Sequence, residues 1–235
     1  MIIGVIPARF GSTRLMGKPL ADIGGKPMIQ HTYESSKKSK LLDRLIVATD
    51  DEKIFDVVKS FGGEVRMTPK QMNTGSDRIA HIVKDIHEAH IICNIQGDEP
   101  FIPGKMIDQA IEPLLFDNEV NVSTLVKKIT SVEELKLSSV VKVVFDYNNF
   151  ALYFSRSPIP HVRDARTNLE RIQHTEIYKH IGLYVYRREA LLKFITLKPT
   201  DLEQIEGLEQ LRMLENGYRI KVVVTEYESF SVDTP

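Results

Sequence analysis

Short β-branched runs alternate with longer amphipathic stretches through the first hundred or so residues of this chain. Ile2 to Ile6, Leu45 to Ala48, Glu64 to Met67 and Ile91 to Ile95 are short, apolar and bounded by turn residues, the pattern of buried strands. Between them, residues 51 to 61 set Ile54, Phe55, Val57, Val58 and Phe61 on one helical face, and Gly62 and Gly63 supply the left-handed residue at which a helix ends. Residues 77 to 87 repeat the helical period with Ile79, Ile82, Val83 and Ile86. This order implies right-handed crossovers and a largely parallel α/β sheet covered on both faces. Such sheets collect ligands at the carboxyl ends of their strands.

The second half is less regular. VVKVVFD (140 to 146) and ALYFSR (151 to 156) predict an antiparallel hairpin, HIGLYVYRR (180 to 188) a strand, and RIKVVVTE (219 to 226) a return to the sheet. Asp201 to Glu215 reads as one helix carrying Leu202, Ile205, Leu208, Leu211 and Leu214. The 235 residues are 42% hydrophobic and 27% charged, enough for a core without staples, and show no repeat, low-complexity tract or Pro/Gly-rich linker. The expectation is a single domain, 1–235, with an inserted subregion at about 125–185.

Charge and cysteine content narrow the partners. A net charge of −1 gives no overall field toward nucleic acid or an anionic membrane, so anion binding must come from local clusters. The single cysteine, Cys93, excludes an internal disulfide framework and fits a reducing compartment. The opening MIIGVIPA lacks a basic flank and a small-residue cleavage site, and no later apolar run approaches membrane-spanning length. The reading is a cytoplasmic protein with neither nucleic acid nor membrane as partner.

One cluster stands out in VIPARFGSTRLMGKPL, residues 5 to 20. Arg9, Arg14 and Lys18, with Gly11 and Gly17, offer charge-assisted donors and permissive backbone suited to a polyphosphate. The spacing is neither a Walker loop nor G-x-G-x-x-G. As a solvated surface loop such a cluster would be ordinary; its place after the first strand favours a ligand. A second feature, QGDEP at 96 to 100, also follows a buried strand. Acidic residues at strand ends often only cap the next helix, yet Pro103 opens that helix, so Asp98 comes too early to cap it. Asp98 is therefore placed to hold a divalent ion such as magnesium, which takes one or two carboxylates and leaves other positions to water and phosphate. Asp233 in SVDTP is a candidate for the second acid, although its spacing by itself suits an Asx turn before a proline.

Taken in order, IPARFGSTRLMGKPL, IVATDD, NIQGDEP, VVKVVFD, ALYFSRSPIP, KHIGLYVYRREAL, LEQLRMLENGYRIKV and SVDTP resemble the successive blocks of the 3-deoxy-manno-octulosonate cytidylyltransferases, the CMP-Kdo synthetases. The resemblance spans nearly the whole chain. It implies a nucleotidyltransferase-type three-layer fold with a mixed, mainly parallel central sheet and a smaller inserted subregion that serves sugar binding and a homodimer interface. It implies a magnesium-dependent reaction of CTP with Kdo that gives CMP-Kdo and pyrophosphate for lipopolysaccharide biosynthesis. By position it implies Arg9, Arg14 and Lys18 on the triphosphate, Asp98 and Asp233 on the metal, and Ala8 with Ser76 of the NTGSDR stretch near the nucleoside. The sugar side would be Gln96, Arg156, His180, Tyr184, Glu209 and Gln210, with Arg156 pairing the sugar carboxylate. His180 and Tyr184, on one strand, point to one face. Met16 departs from the proline usual in the family's basic loop, and the wording of KQMNTGSDR departs too. Another CMP-sugar synthetase, acting on 8-amino-Kdo or a sialic acid, is the alternative; a nucleotide-binding module that has lost its chemistry would be expected to lack Asp98 or Asp233.

Overall fold

The computed structural model describes residues 1–11, 16–72, 74–230 and 232. In chain order the elements are β1 (Ile2–Ala8), a short 3-10 turn (Lys18–Leu20), a two-residue ladder of β2 (Asp22–Ile23) and β3 (Lys26–Pro27), α1 (Met28–Ser36), β4 (Arg44–Thr49), α2 (Glu52–Ser60), β5 (Glu64–Met67), α3 (Gly75–Lys84), β6 (Ile91–Asn94) and α4 (Gly104–Phe116). There follow β7 (Val122–Lys128), α5 (Val132–Lys136), β8 (Lys142–Phe145), β9 (Ala151–Ser155), α6 (Asn168–His174), β10 (Tyr178–Arg187), α7 (Arg188–Phe194), α8 (Asp201–Glu206), α9 (Gln210–Glu215) and β11 (Lys221–Val224). The main sheet runs β11-β7-β10-β6-β1-β4-β5, with β8 and β9 added beside β10. Pairing is parallel from β6 through β1 and β4 to β5 and between β7 and β11; only β9 and β10 run against the rest. The expected α/β fold with a mixed, mainly parallel sheet is what is observed.

Alternation along the strands makes two cores. Ile3, Val5, Ile46 and Ile92 pack under α3, α7 and α9, whereas Ile6, Val47, Cys93 and Ile95 pack under α1, α2 and α4. Helix ends follow local chemistry. The Asp51 carboxylate caps α2 by accepting from the amides of Lys53 and Ile54, and Thr74 with Asp77 forms a capping box on α3. Of the two glycines expected to stop α2, only Gly62 takes positive φ, at 76°.

The stretch Asp201 to Glu215 corrects the expectation of one helix: it is broken at Gly207. Gly207 adopts φ 62° and the Leu208 amide returns to the Glu203 carbonyl at 3.1 Å, a helix-ending turn that a residue without Cβ enters without strain. Leucine spacing runs through the break because Leu208 and Leu211 after it are buried and Leu202 before it packs partly against the same core. The consequence is positional. Residues 207 to 209 form a corner instead of a continuous helix wall.

Strand β10 carries a second irregularity. Against β7 its register passes from Ile181↔Leu125 directly to Tyr184↔Thr124, so Gly182 and Leu183 are extra. Two extra residues preserve the alternation, and His180 and Tyr184 stay on one face with ring centroids 5.2 Å apart. The Thr124 hydroxyl fills the bulge. It lies 2.8 Å from the Leu183 carbonyl and 3.0 Å from Nε2 of His180. A carbonyl only accepts, so the hydroxyl donates to it and accepts from His180, whose proton therefore sits on Nε2. Burial pushes the His180 pKa down from 6.5 to about 3, although its ring edge opens onto a cavity.

Two expectations follow from these packing arrangements. Gly104 opens α4 against the α1–β4 connection, and a Cβ there would lie 2.4 Å from the Lys38 carbonyl carbon and the Ser39 amide nitrogen. Gly104→Ala should destabilise by about 1–3 kcal/mol, read as a lower denaturant midpoint at unchanged slope. The unfolded chain takes a proton on His180 that the folded chain refuses, so this group's contribution is whole above pH 6.5 and is lost as pH falls toward 3. Relative to His180→Gln, the wild-type protein should lose stability on acidification by at most about 1.4 kcal/mol per pH unit, measured by urea unfolding across that window.

Candidate active site

The carboxyl ends of β1 and β6 meet at a cavity of about 600 Å³ lined by Ala8, Arg9, Lys18, Gln96 and Asp98, by Thr74, Gly75 and Arg78 of α3, and by Gly207 to Glu209 of the broken helix. Gly17 turns the basic loop at φ 72°, its amide bonding to the Phe10 carbonyl at 2.9 Å, and so delivers Lys18 back toward β6. The Lys18 ammonium lies 2.9 Å from Oδ2 of Asp98. This pair is only possible because Gly97 lets its turn close on β1: a Cβ there would stand 2.9 Å from the Pro7 carbonyl oxygen. Thr32 of α1 donates to the Gly97 carbonyl at 3.2 Å and holds the turn from below.

The two acids of QGDEP part company. Asp98 faces the cavity with 36% of its side chain exposed, whereas Glu99 is buried and accepts from the Ser229 hydroxyl at 2.6 Å. Burial raises the Glu99 pKa to about 7 in spite of that bond. The chain end thus returns to this turn, and the amide of Val232 donates to the Asp98 carbonyl at 3.0 Å.

A second cavity, about 200 Å³, adjoins the first through the shared walls Gln96, Leu208 and Glu209. His180, Tyr184, Tyr186, Asn94 and Gln210 complete it. Tyr184 Oη and Gln210 Nε2 are buried there with no hydrogen-bond partner among the described residues, an arrangement that costs free energy unless something polar enters. Glu209 accepts from the Ser76 hydroxyl at 2.9 Å, and burial raises its pKa despite that bond. Tyr184 stacks on Tyr186 and Tyr186 on Phe194, giving the cavity an aromatic floor.

Most of the expected residues converge. Ala8, Arg9, Lys18 and Asp98 line the larger cavity, His180, Tyr184 and Gln210 the smaller, and Gln96 and Glu209 both. Arg14 and Asp233 lie outside the described residues. Ser76 lies 1% exposed beneath the cavity, with its hydroxyl committed to Glu209, while its neighbours Thr74 and Gly75 reach the lining. Arg156 is not brought to either lining: its guanidinium donates to the carbonyls of Glu206, Ser138 and Gly207. Residues not expected also take part. Asn94 and Tyr186 share a face with Gln96 and Tyr184 at strand spacing, a signal present in the alternation itself. Arg78, buried and ion-paired to Asp50 at 2.8 Å, anchors the start of α3, and no local pattern relates those two positions.

Comparison with known proteins agrees with this geometry. The cytidylyltransferase family model matches residues 3–220. The 3-deoxy-manno-octulosonate cytidylyltransferase of Geotalea uraniireducens is 52% identical over 100% of this chain and 94% of its own length, and that of Geobacter sulfurreducens is 50% identical over 100% and 95%. Among solved structures, a CMP:2-keto-3-deoxy-manno-octonic acid synthetase complexed with CTP superposes with a TM-score of 0.92 at 40% identity, covering 100% of this chain and 93% of that one. A cytidylyltransferase of Leptospira borgpetersenii, 18% identical, shares the fold with a TM-score of 0.62. The chain therefore belongs to the cytidylyltransferase family and, within it, to the 3-deoxy-manno-octulosonate cytidylyltransferases.

Proposed function

We propose that the protein joins CTP to Kdo, giving CMP-Kdo and pyrophosphate for lipopolysaccharide biosynthesis, with the nucleotide in the larger cavity and the sugar acid in the smaller. The observation that carries this reading is the shared wall of Gln96, Leu208 and Glu209, across which a chamber lined by Arg9, Lys18 and Asp98 meets one lined by the unpaired buried polar groups of Tyr184 and Gln210. An anomeric hydroxyl held in the smaller cavity attacks the α-phosphorus from the side opposite pyrophosphate. The new O–P bond forms as the bond to the leaving oxygen breaks, and the hydroxyl proton passes to solvent. Such a displacement depends on positioning and on neutralising oxygen charge. Arg9, Arg14 and Lys18 grip the triphosphate, and Lys18 neutralises the departing pyrophosphate. Ala8 and the Thr74–Ser76 stretch border the nucleoside. Neutral His180 offers Nδ1 as an acceptor, because Nε2 already donates to Thr124. Tyr184 and Gln210 supply donors, and Glu209 an acceptor, to sugar oxygens.

The donor set at Asp98 fits magnesium. One carboxylate oxygen is paired with an ammonium, the group is a third exposed to the cavity, and Val232, next in sequence to Asp233, donates its amide to the Asp98 carbonyl. Among the described residues, which do not include Asp233, no three His, Cys, Asp or Glu cluster as a metal site. Held by Asp98 and Asp233, magnesium would supply charge to the α-phosphate and lower the pKa of the attacking hydroxyl. The reading includes a homodimer, with exposed Leu152 and Leu169 of the 125–185 region as candidates for the covered face, and a cytoplasmic setting. No described helix is long and apolar enough to cross a membrane.

The reading is tested by pyrophosphate release with CTP and the other nucleoside triphosphates, against Kdo, 8-amino-Kdo and a sialic acid; turnover confined to CTP and Kdo is expected. Asp98→Asn should lower kcat by about 10³-fold or more while leaving the unfolding midpoint in place, since an amide cannot supply the charge. Near-normal turnover would remove Asp98 from the site. Tyr184→Phe and Gln210→Ala should each raise KM for Kdo about tenfold with KM for CTP unchanged, the scale of one lost hydrogen bond.

A further inference from the structure

We infer that Glu206, which lines neither cavity, is a positioning residue that sets where Glu209 and Gln210 stand on the sugar side. The inference rests on the assignment of the smaller cavity to the sugar acid. Helices α8 and α9 are tied to each other by side chains. Arg212 of α9 donates through Nε to Glu203 of α8 at 2.7 Å, and the Leu202 amide donates to Glu215 at 3.3 Å. The Arg212 guanidinium also lies over the Phe194 ring, 5.0 Å from its centroid. The corner joining the two helices, Gly207 to Glu209, lines the larger cavity, and Leu208 to Gln210 line the smaller one.

That corner is fastened to the end of β9 and the residue after it by two side chains, Glu206 and Arg156. The Glu206 carboxylate accepts from the Ser155 hydroxyl at 2.6 Å, the Arg156 amide at 2.9 Å and the Tyr153 hydroxyl at 3.3 Å. Its own carbonyl accepts from Arg156 Nε at 2.6 Å, and the next carbonyl, of Gly207, from Arg156 Nη2 at 3.2 Å. The far side of Arg156 is held as well: its carbonyl accepts from the ammonium of Lys142, fully buried, which also donates to the carbonyls of Leu137 and Val140. Bonds to the Glu206 carboxylate hold its pKa below the ordinary value against the opposing effect of burial, so it is charged at neutral pH. A charged acceptor with three donors gives directional restraint that apolar packing of Leu208 and Leu211 does not. A shift of the corner would carry Glu209 and Gln210 with it, and misplacement by a fraction of an ångström to one ångström is enough to weaken a positioned contact.

The test is steady-state kinetics on the full chain with CTP and Kdo, read as pyrophosphate release, with unfolding midpoints recorded alongside. Glu206→Ala should raise KM for Kdo about tenfold while KM for CTP stays within about twofold. Glu206→Gln should fall between Ala and wild type, because its amide oxygen still accepts from Ser155 but it brings no charge to the Arg156 amide. Ser155→Ala, which removes the 2.6 Å bond to Glu206 together with the 3.0 Å bond its hydroxyl accepts from the Ser157 amide, should raise KM for Kdo about threefold and serves where Glu206→Ala does not fold. Folded variants with KM for Kdo unchanged, or with both KM values rising together, overturn the inference. Wild-type protein that releases pyrophosphate from CTP without any dependence on Kdo overturns the functional reading itself, and the inference with it.

Discussion

Everything at the site depends on β1 and β6 being parallel neighbours whose carboxyl ends fall at one edge of the sheet. Because both strands are buried, their side chains cannot reach solvent until the strands end, and the first polar residues after them must then share a small volume. Gly97 permits the tighter approach, and Lys18 and Asp98 close it with an ion pair. A larger residue at either turn would separate the ammonium from the carboxylate. The charge balance of the larger cavity is thus a consequence of backbone packing before it is a matter of side-chain choice.

The site separates charge by burial. Arg9 is exposed and Lys18 and Asp98 line the larger cavity. Glu99, one residue along, is turned into the protein, where burial favours its protonated form. Around the smaller cavity the same principle keeps His180 neutral and Tyr184 un-ionised, so it presents hydrogen-bonding groups with little fixed charge besides Glu209. The two cavities thus differ in their polar surroundings, and Gln96, Leu208 and Glu209 form the wall between them.

How much of this could be read in advance varies with the range of the interaction. The parallel half of the sheet was legible because β1, β4 and β6 are short and mostly apolar and the helices α2 and α3 each keep their own period. The sequence blocks carried the family likeness and most of the residues that line the cavities. The break at Gly207 was missed because apolar spacing continues through it, and a single glycine within a helical pattern is weaker evidence than four leucines and an isoleucine. The committed guanidinium of Arg156 could not be anticipated either, since its acceptors are backbone carbonyls, which leave no trace in residue type.

Local order therefore settled which elements form and on which ends their polar turns lie, because periodicity and capping act within a few residues of each other along the chain. Pairing across long separations was decided only by tertiary structure: Arg78 with Asp50, Ser76 with Glu209, Ser229 with Glu99, and Glu206 with the end of β9. The physical reason is one of range. A hydrogen bond between residues a hundred positions apart is specified by how the sheet and its covering helices stack, and no short window of sequence contains that stacking.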